Sequence, residues 1–310
     1  MDGVNIETKA RFAPAKVNLA LHVVGRRDDG YHLLESIVVF DKAAGDKVGV
    51  ALRPAHKTGE EPVDRLTIEG PFAAEVPAGP QNILQQAAAL ARNELAGFGL
   101  ALPPLDIQLT KNLPVAAGIG GGSADAAALI KLIGEELPQE AHMELSDAAI
   151  RLGADVPMCL AGRPAFITGI GEDIRPLAAM PELAMLLVNP GIAVETAAVF
   201  RMLARRDNPP MPALPSAGFT GTTDLVTFLG ETRNDLALAA GSLVPEIEIA
   251  RACLTEAGAL FARMSGSGAT VFGLYADEAA ADAAARQIAT KHPGWWLSRS
   301  PSDGSEESRP

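Results

Sequence analysis

The sequence predicts an α+β protein built as two consecutive units. Three observations carry the prediction. A chain of 310 residues with 48% hydrophobic side chains is long enough for two cores. Segments of alternating polarity open the chain and strand patterns return after residue 160. Helical patterns bounded by caps and glycine stops lie among them. The expected boundaries are a first unit over residues 1–162, a second over 163–300, and a polar, disordered tail, PSDGSEESRP, over 301–310.

In the first unit, Val17, Leu19, Leu21 and Val23 fall on one face of a strand, and Ile37 and Val39 on a second strand joined to it by the turn-rich GRRDDG. Residues 82–95, NILQQAAALARNEL, read as a helix. In LDIQLT, Leu105, Ile107 and Leu109 alternate with Asp106, Gln108 and Thr110, the pattern of a half-solvated strand. A glycine run follows, and Ser123 is the natural N-cap of an alanine-rich helix that Gly134 stops. A helix over 146–152 is stopped by Gly153, and Pro157 is expected to hold the chain around Asp155 extended.

The second unit restarts with strands at 164–168 and 183–188 and a helix over 196–205. A Pro/Gly/Thr-rich loop over 208–223 is the segment expected to be most mobile. Helices over 235–243 and 245–257, a strand over 269–274 and a helix over 277–290 complete it.

Composition excludes several classes. A net charge of −12 argues against nucleic acid, whose backbone wants a basic face. No apolar run reaches the ~18 residues that cross a bilayer, and MDGVNIETKA lacks the layout of a secretion signal, so neither a membrane nor export is expected and the location is cytoplasmic. Cys159, Cys253 and the five histidines show no ligand spacing, so a structural metal or disulfide is not expected. A monomer or weak homodimer is the expected assembly.

The segment PVAAGIGGGSADAA, residues 114–127, carries the chemistry. Glycines let the backbone approach an anion closely, and the helix they open presents unpaired N–H groups and a partial positive charge. No lysine completes a Walker A loop, and position 123 is serine where a dinucleotide fingerprint wants Gly or Ala. It is a phosphate loop of a third kind.

PxxxGxGGGSADAA resembles the phosphate motif of the GHMP kinase superfamily. APAKVNLALHVVGRRDDGYHLLES, residues 13–36, and RMSGSGATVFGLY, residues 263–275, fall where that superfamily has its other two motifs. The resemblance implies a ribosomal S5 domain 2-like N-terminal domain and a ferredoxin-like C-terminal domain. It implies that Pro114, Val115, Ala116, Ala117, Gly118, Ile119, Gly120, Gly121, Gly122, Ser123 and Ala124 hold ATP, which brings Mg²⁺ with it. It implies Asp155 as catalytic base, paired with Lys16.

Within the superfamily, PAKxNLxLxVxGRRxDGYHxLxS resembles the branch whose small-molecule acceptor carries a cytidine diphosphate and is phosphorylated on its 2-hydroxyl in isoprenoid precursor synthesis. The resemblance then assigns Asn18, Tyr31, His32, Thr196, Phe200, Gly266 and Gly268 to the substrate. Without it, Lys16 and Asn18 are a solvated strand face, Tyr31 and His32 are either a hairpin corner over the core or a ring platform for a base, Phe200 is core, and SGSG is a plain turn. Homoserine- or mevalonate-type kinases, or a noncatalytic nucleotide-binding relative, are the alternatives. One departure stands out: relatives commonly have a second serine where this chain has Ala124, so Ser123 is the only hydroxyl there.

Overall fold

The computed structural model describes residues 2–3, 9–53 and 63–299. The tail over 301–310 lies outside the described residues, as does most of the N-terminal decapeptide. Two long strands, β1 (Lys9–Arg26) and β2 (His32–Leu52), form an antiparallel hairpin. The free edge of β2 is shared. Leu34–Val38 pair with β5 (Ala165–Gly169), and Lys47–Leu52 pair with β4 (Leu105–Thr110). A parallel strand β3 (Arg65–Glu69) extends the sheet beyond β4, and β6 (Asp173–Pro176) extends it beyond β5.

Helices α1 (Ile83–Gly97), α2 (Gly121–Gly134), α3 (Gln139–Ala148) and α4 (Val156–Ala161) cover one face. Leu84, Ala88, Ala91 and Leu95 of α1 and Ala127, Ile130 and Ile133 of α2 pack with Val48, Val50, Ile107 and Leu109 in one apolar cluster. The helix read over 82–95 is α1, with Asn82 as its cap, the Asn82 side chain accepting from Leu84 N–H.

The second sheet is antiparallel throughout. It contains β7 (Ala184–Asn189), β8 (Phe261–Met264), β9 (Val271–Tyr275) and β10 (Trp296–Arg299), in the order β8-β9-β7-β10. The helices α5 (Thr196–Arg201), α6 (Thr222–Gly230), α7 (Ala237–Leu243) and α8 (Glu246–Glu256) separate β7 from β8, and α9 (Glu278–Lys291) separates β9 from β10. This is the ferredoxin-like strand order. Both faces of β7 and β9 are covered, so their residues read as near-continuous apolar runs. Leu187, Phe272 and Leu274 join Val17, Leu19, Ile37 and Val39 in one cluster, so the two sheets share a core. Among the described residues, no helix is long and apolar enough to cross a membrane.

Several expectations shift. β5 and β6 hydrogen-bond to the first sheet, so the break between sheets falls after Pro176 and not at residue 163. α2 begins at Gly121 with Gly120 as its cap, and Ser123 sits inside the first turn. Pro157 does not keep Asp155 extended: it occupies the first turn of α4, where its missing N–H costs nothing, and Asp155 caps that helix in a helical conformation. β3, β8, β10 and α6 lie where the sequence showed no clear pattern.

The stretch over 208–223 carries no regular structure before Thr222, yet it is anchored. Met211 N–H donates to Glu35 at 2.6 Å, and Met211 and Phe219 are buried. Phe219, 1% exposed and edge-on to Phe228, fills the shared core. Phe219→Ala is expected to destabilise the protein by about 3–5 kcal/mol in urea unfolding. A change of only a few tenths would return this loop to the mobile class.

Candidate active site

The first motif places Lys16 and Asn18 on one face of β1, two residues apart, while Val17 and Leu19 point into the shared core. The polar face is not solvated: Lys16 and Asn18 are each 5% exposed and line a cavity of about 510 Å³. Lys16 Nζ lies 2.9 Å from Asn18 Oδ1 and 3.1 Å from Asp155 Oδ2. The cap position of α4 thus aims a carboxylate at an ammonium held on a strand. Cys159, one turn further along α4, is pushed up to about 12 by burial and then by Asp155, so it remains an inert thiol.

The glycine loop adjoins the lysine and lines the same cavity. Pro114 to Gly118 and Gly120 to Ser123 line the cavity. The first bond of α2 runs from Ala124 N–H to the Gly120 carbonyl at 2.9 Å, so the N–H groups of Gly121, Gly122 and Ser123 precede the helical ladder. Lys16 N–H donates to the Ile119 carbonyl at 2.8 Å, which ties the lysine's strand to the loop. Gly120 has φ +65°, and a Cβ there would stand 3.0 Å from Lys16 Cε. Two predicted loop residues serve otherwise. Ile119 buries its side chain in the core, and the Ala124 N–H is already spent within the helix.

The third motif comes from the loop between β8 and β9. A Cβ on Gly118 would stand 2.6 Å from the Ser265 carbonyl oxygen, and one on Gly266 2.7 Å from the Gly118 oxygen, so the two glycine loops touch backbone to backbone. Ser265, fully buried, accepts from Asn18 N–H and donates to the Gly118 carbonyl, both at 3.0 Å. Gly266 and Ser267 line the cavity. Gly268 does not, because it packs against Met264 and Ile247 below the loop.

The residues expected to meet a base are only partly brought together. Thr196 and Phe200, one turn apart on α5, line the cavity, and Thr196 Oγ1 lies 2.8 Å from Ser267 Oγ. His32 stacks on Phe200 with ring centroids 4.7 Å apart. Its Nε2 is buried with no hydrogen-bond partner among the described residues. Burial, then the guanidiniums of Arg206 and Arg26, hold this imidazole below its ordinary value and therefore neutral near pH 7. Tyr31 neither covers the core nor joins His32 in a shared platform. It is 60% exposed and does not line the cavity, since neighbouring residues entering a strand leave on opposite sides.

A buried charge cluster beneath the loop escaped the sequence reading. Lys111 Nζ lies 2.5 Å from Asp46 and 2.8 Å from Asp125, and Asp46 also accepts the N–H groups of Asn112 and Leu113. The only signal was an aspartate at the third position after the last glycine. Burial works to lower Lys111, yet Asp125 and Asp46 outweigh it and hold the ammonium above its ordinary range.

These motifs, a glycine loop and a Lys–Asp pair lining one cavity, are those of a small-molecule kinase. Residues 82–163 match the family model for the GHMP kinases N terminal domain, and residues 223–294 match that for GHMP kinases C terminal. The chain is 50% identical over 288 residues to a 4-diphosphocytidyl-2-C-methyl-D-erythritol kinase of Paracoccus denitrificans, covering 93% of this chain and 94% of that one. It is 47% identical over 291 residues to the kinase of the same name from Brucella melitensis, with 92% of each covered. A solved structure of 4-(cytidine 5'-diphospho)-2C-methyl-D-erythritol kinase superposes with a TM-score of 0.71 at 32% identity, over 94% of this chain and 98% of that one. The chain belongs to the GHMP kinases and, within them, to the 4-diphosphocytidyl-2-C-methyl-D-erythritol kinase family.

Asp125 is pushed up to about 7, chiefly by burial, which outweighs Lys111; Asp46 adds to the rise. Unfolded, this carboxyl ionises near 3.8. Between those values the folded chain holds a proton that the unfolded chain has released, so stability falls as pH rises through the window. The Tm of Asp125→Asn is expected to gain on that of the unsubstituted protein from about pH 4 to about pH 7. Parallel curves of Tm against pH would show that Asp125 is ionised throughout.

Proposed function

We propose that the protein transfers the γ-phosphoryl group of ATP to the 2-hydroxyl of 4-diphosphocytidyl-2-C-methyl-D-erythritol, giving the 2-phosphate and ADP in the non-mevalonate isoprenoid route of the cytoplasm. The observation that carries the reading is the Lys16–Asp155 pair and the glycine loop lining one cavity, with Phe200, on which His32 stacks, among the lining residues. Val76, Pro77, Ile83 and Leu109 line an apolar stretch of the same cavity suited to a purine.

Phosphoryl transfer through a loose transition state asks for positioning and charge stabilisation more than for a strong base. Asp155 orients the substrate hydroxyl and takes its proton. Lys16 holds Asp155 in place and offsets the charge that gathers around the attacking oxygen. The N–H groups of Gly121, Gly122 and Ser123 receive the phosphates of ATP. The Ser123 hydroxyl and the Asp155 carboxylate, both on the cavity wall, are hard oxygen donors of the kind Mg²⁺ takes. The ion, when bound, neutralises charge on the β- and γ-phosphates.

Phe200, on the cavity wall, and the exposed Tyr31 offer ring faces to the cytosine, and His32 backs Phe200 by stacking on it. A homoserine- or mevalonate-type acceptor has no base to use these groups.

An ADP-release assay with the cytidylyl substrate, homoserine and mevalonate phosphates side by side is expected to show turnover of the first alone; equal turnover of another would redirect the reading. Asp155→Asn is expected to lower kcat by about 10² to 10⁴ with ATP affinity nearly unchanged. Near-normal turnover would remove Asp155 from the mechanism. Tyr31→Ala is expected to raise KM for the cytidylyl substrate about tenfold and to leave KM for ATP alone, on the scale of one lost stacking face. Equal changes in both would make Tyr31 a general structural residue.

A further inference from the structure

The orientation of the Asn18 amide decides what Lys16 meets. Asn18 Oδ1 accepts from the Lys16 ammonium at 2.9 Å, and Asn18 Nδ2 donates to the Ser36 hydroxyl at 2.7 Å. An ammonium has only donors. Turned end for end, the amide would set its own N–H groups against those of Lys16, and the lysine would lose its neutral acceptor.

Ser36 settles which end faces Lys16. Its hydroxyl carries one proton, and that proton goes to the Ala20 carbonyl at 2.7 Å. The side of the oxygen left for Asn18 is therefore a lone pair, which only an N–H can use. Ala20 lies at the bulge that breaks the register of β1 between Asn18 and Ala20, where the pairing of successive residues with β2 is interrupted. Ser36 sits on β2 opposite Leu21, 3% exposed, and lines the active-site cavity. The second hold on Asn18, from Ser265, grips its main-chain N–H and leaves the amide free to turn.

We propose that Ser36 is a positioning residue for phosphoryl transfer. By committing its proton to Ala20 it receives only Asn18 Nδ2, which keeps Asn18 Oδ1 on Lys16 and the ammonium 3.1 Å from Asp155. The proposal rests on Lys16 and Asp155 being the catalytic pair.

The test is a kinetic cycle on the full chain with Ser36→Ala, Asn18→Ala and both together, with melting curves to establish folding. Ser36→Ala is expected to lower kcat about tenfold to hundredfold, the scale of a displaced catalytic group, with KM for both substrates nearly unchanged. Ser36→Thr keeps the hydroxyl and is expected to return kcat to within about threefold. In the Asn18→Ala background, Ser36→Ala is expected to change kcat by less than about twofold, because Ser36 acts only through Asn18. Losses that multiply in the double variant overturn the proposal. A raised KM for the cytidylyl substrate at unchanged kcat also overturns it, by making Ser36 a substrate contact. Should Ser36→Ala fail to fold, Ser36→Cys carries the test, with an intermediate kcat at unchanged KM expected and a wild-type kcat overturning. Lys16→Met separates the two layers: normal turnover there removes the catalytic pair itself, whereas lost turnover with a multiplicative cycle removes only Ser36.

Discussion

The site depends on a contact between two backbones. Gly118 and the loop from Ser265 to Gly268 approach so closely that any side chain on Gly118 would overlap a peptide group. A carbonyl buried at such a junction costs about 1–3 kcal/mol if it is left unpaired. The Ser265 hydroxyl answers Gly118, and Thr270 N–H answers Ala117 at 3.1 Å. Through this junction the glycine loop, the lysine's strand and the second sheet are joined. Positional accuracy is what a reaction with little covalent chemistry for the protein most requires.

Beneath that junction the chain keeps charge out of water. The ammonium of Lys111 is shared by two carboxylates, and one of them, Asp46, also receives the two N–H groups that lead into the glycine loop. Buried ion pairs are weak sources of stability, but they fix geometry where both partners are saturated. Here Asp125 Oδ1 is left without a partner among the described residues, consistent with the raised carboxyl.

Much of this was legible in the sequence because local rules and chemistry agreed. The helical pattern over 82–95, the alternation of Leu105, Ile107 and Leu109, and the spacing of Lys16 and Asn18 each foretold the element or face later found. The failures have physical causes. Lys16 and Asn18 read as solvated because periodicity reports a face and not what covers it. Pro157 read as a helix breaker because a proline in a first turn looks like any other until the helix after it is seen. Asp46, Lys111 and Asp125 are far apart in sequence, so only the fold reveals their shared charge. Ser36 was the last letter of a motif, and its meaning lay in the direction of one proton.

Leu21 of β1 exchanges main-chain hydrogen bonds with the segment before α7: its N–H donates to Arg233 and its carbonyl accepts from Asp235, both at 2.9 Å. The strand that carries the lysine is thus bonded both into its own sheet and to the loop that leads into α7. A hinge that swung one sheet away from the other would have to tear this bridge and expose the apolar core the sheets share. Opening the cleft along that line therefore costs hydrogen bonds and apolar burial together.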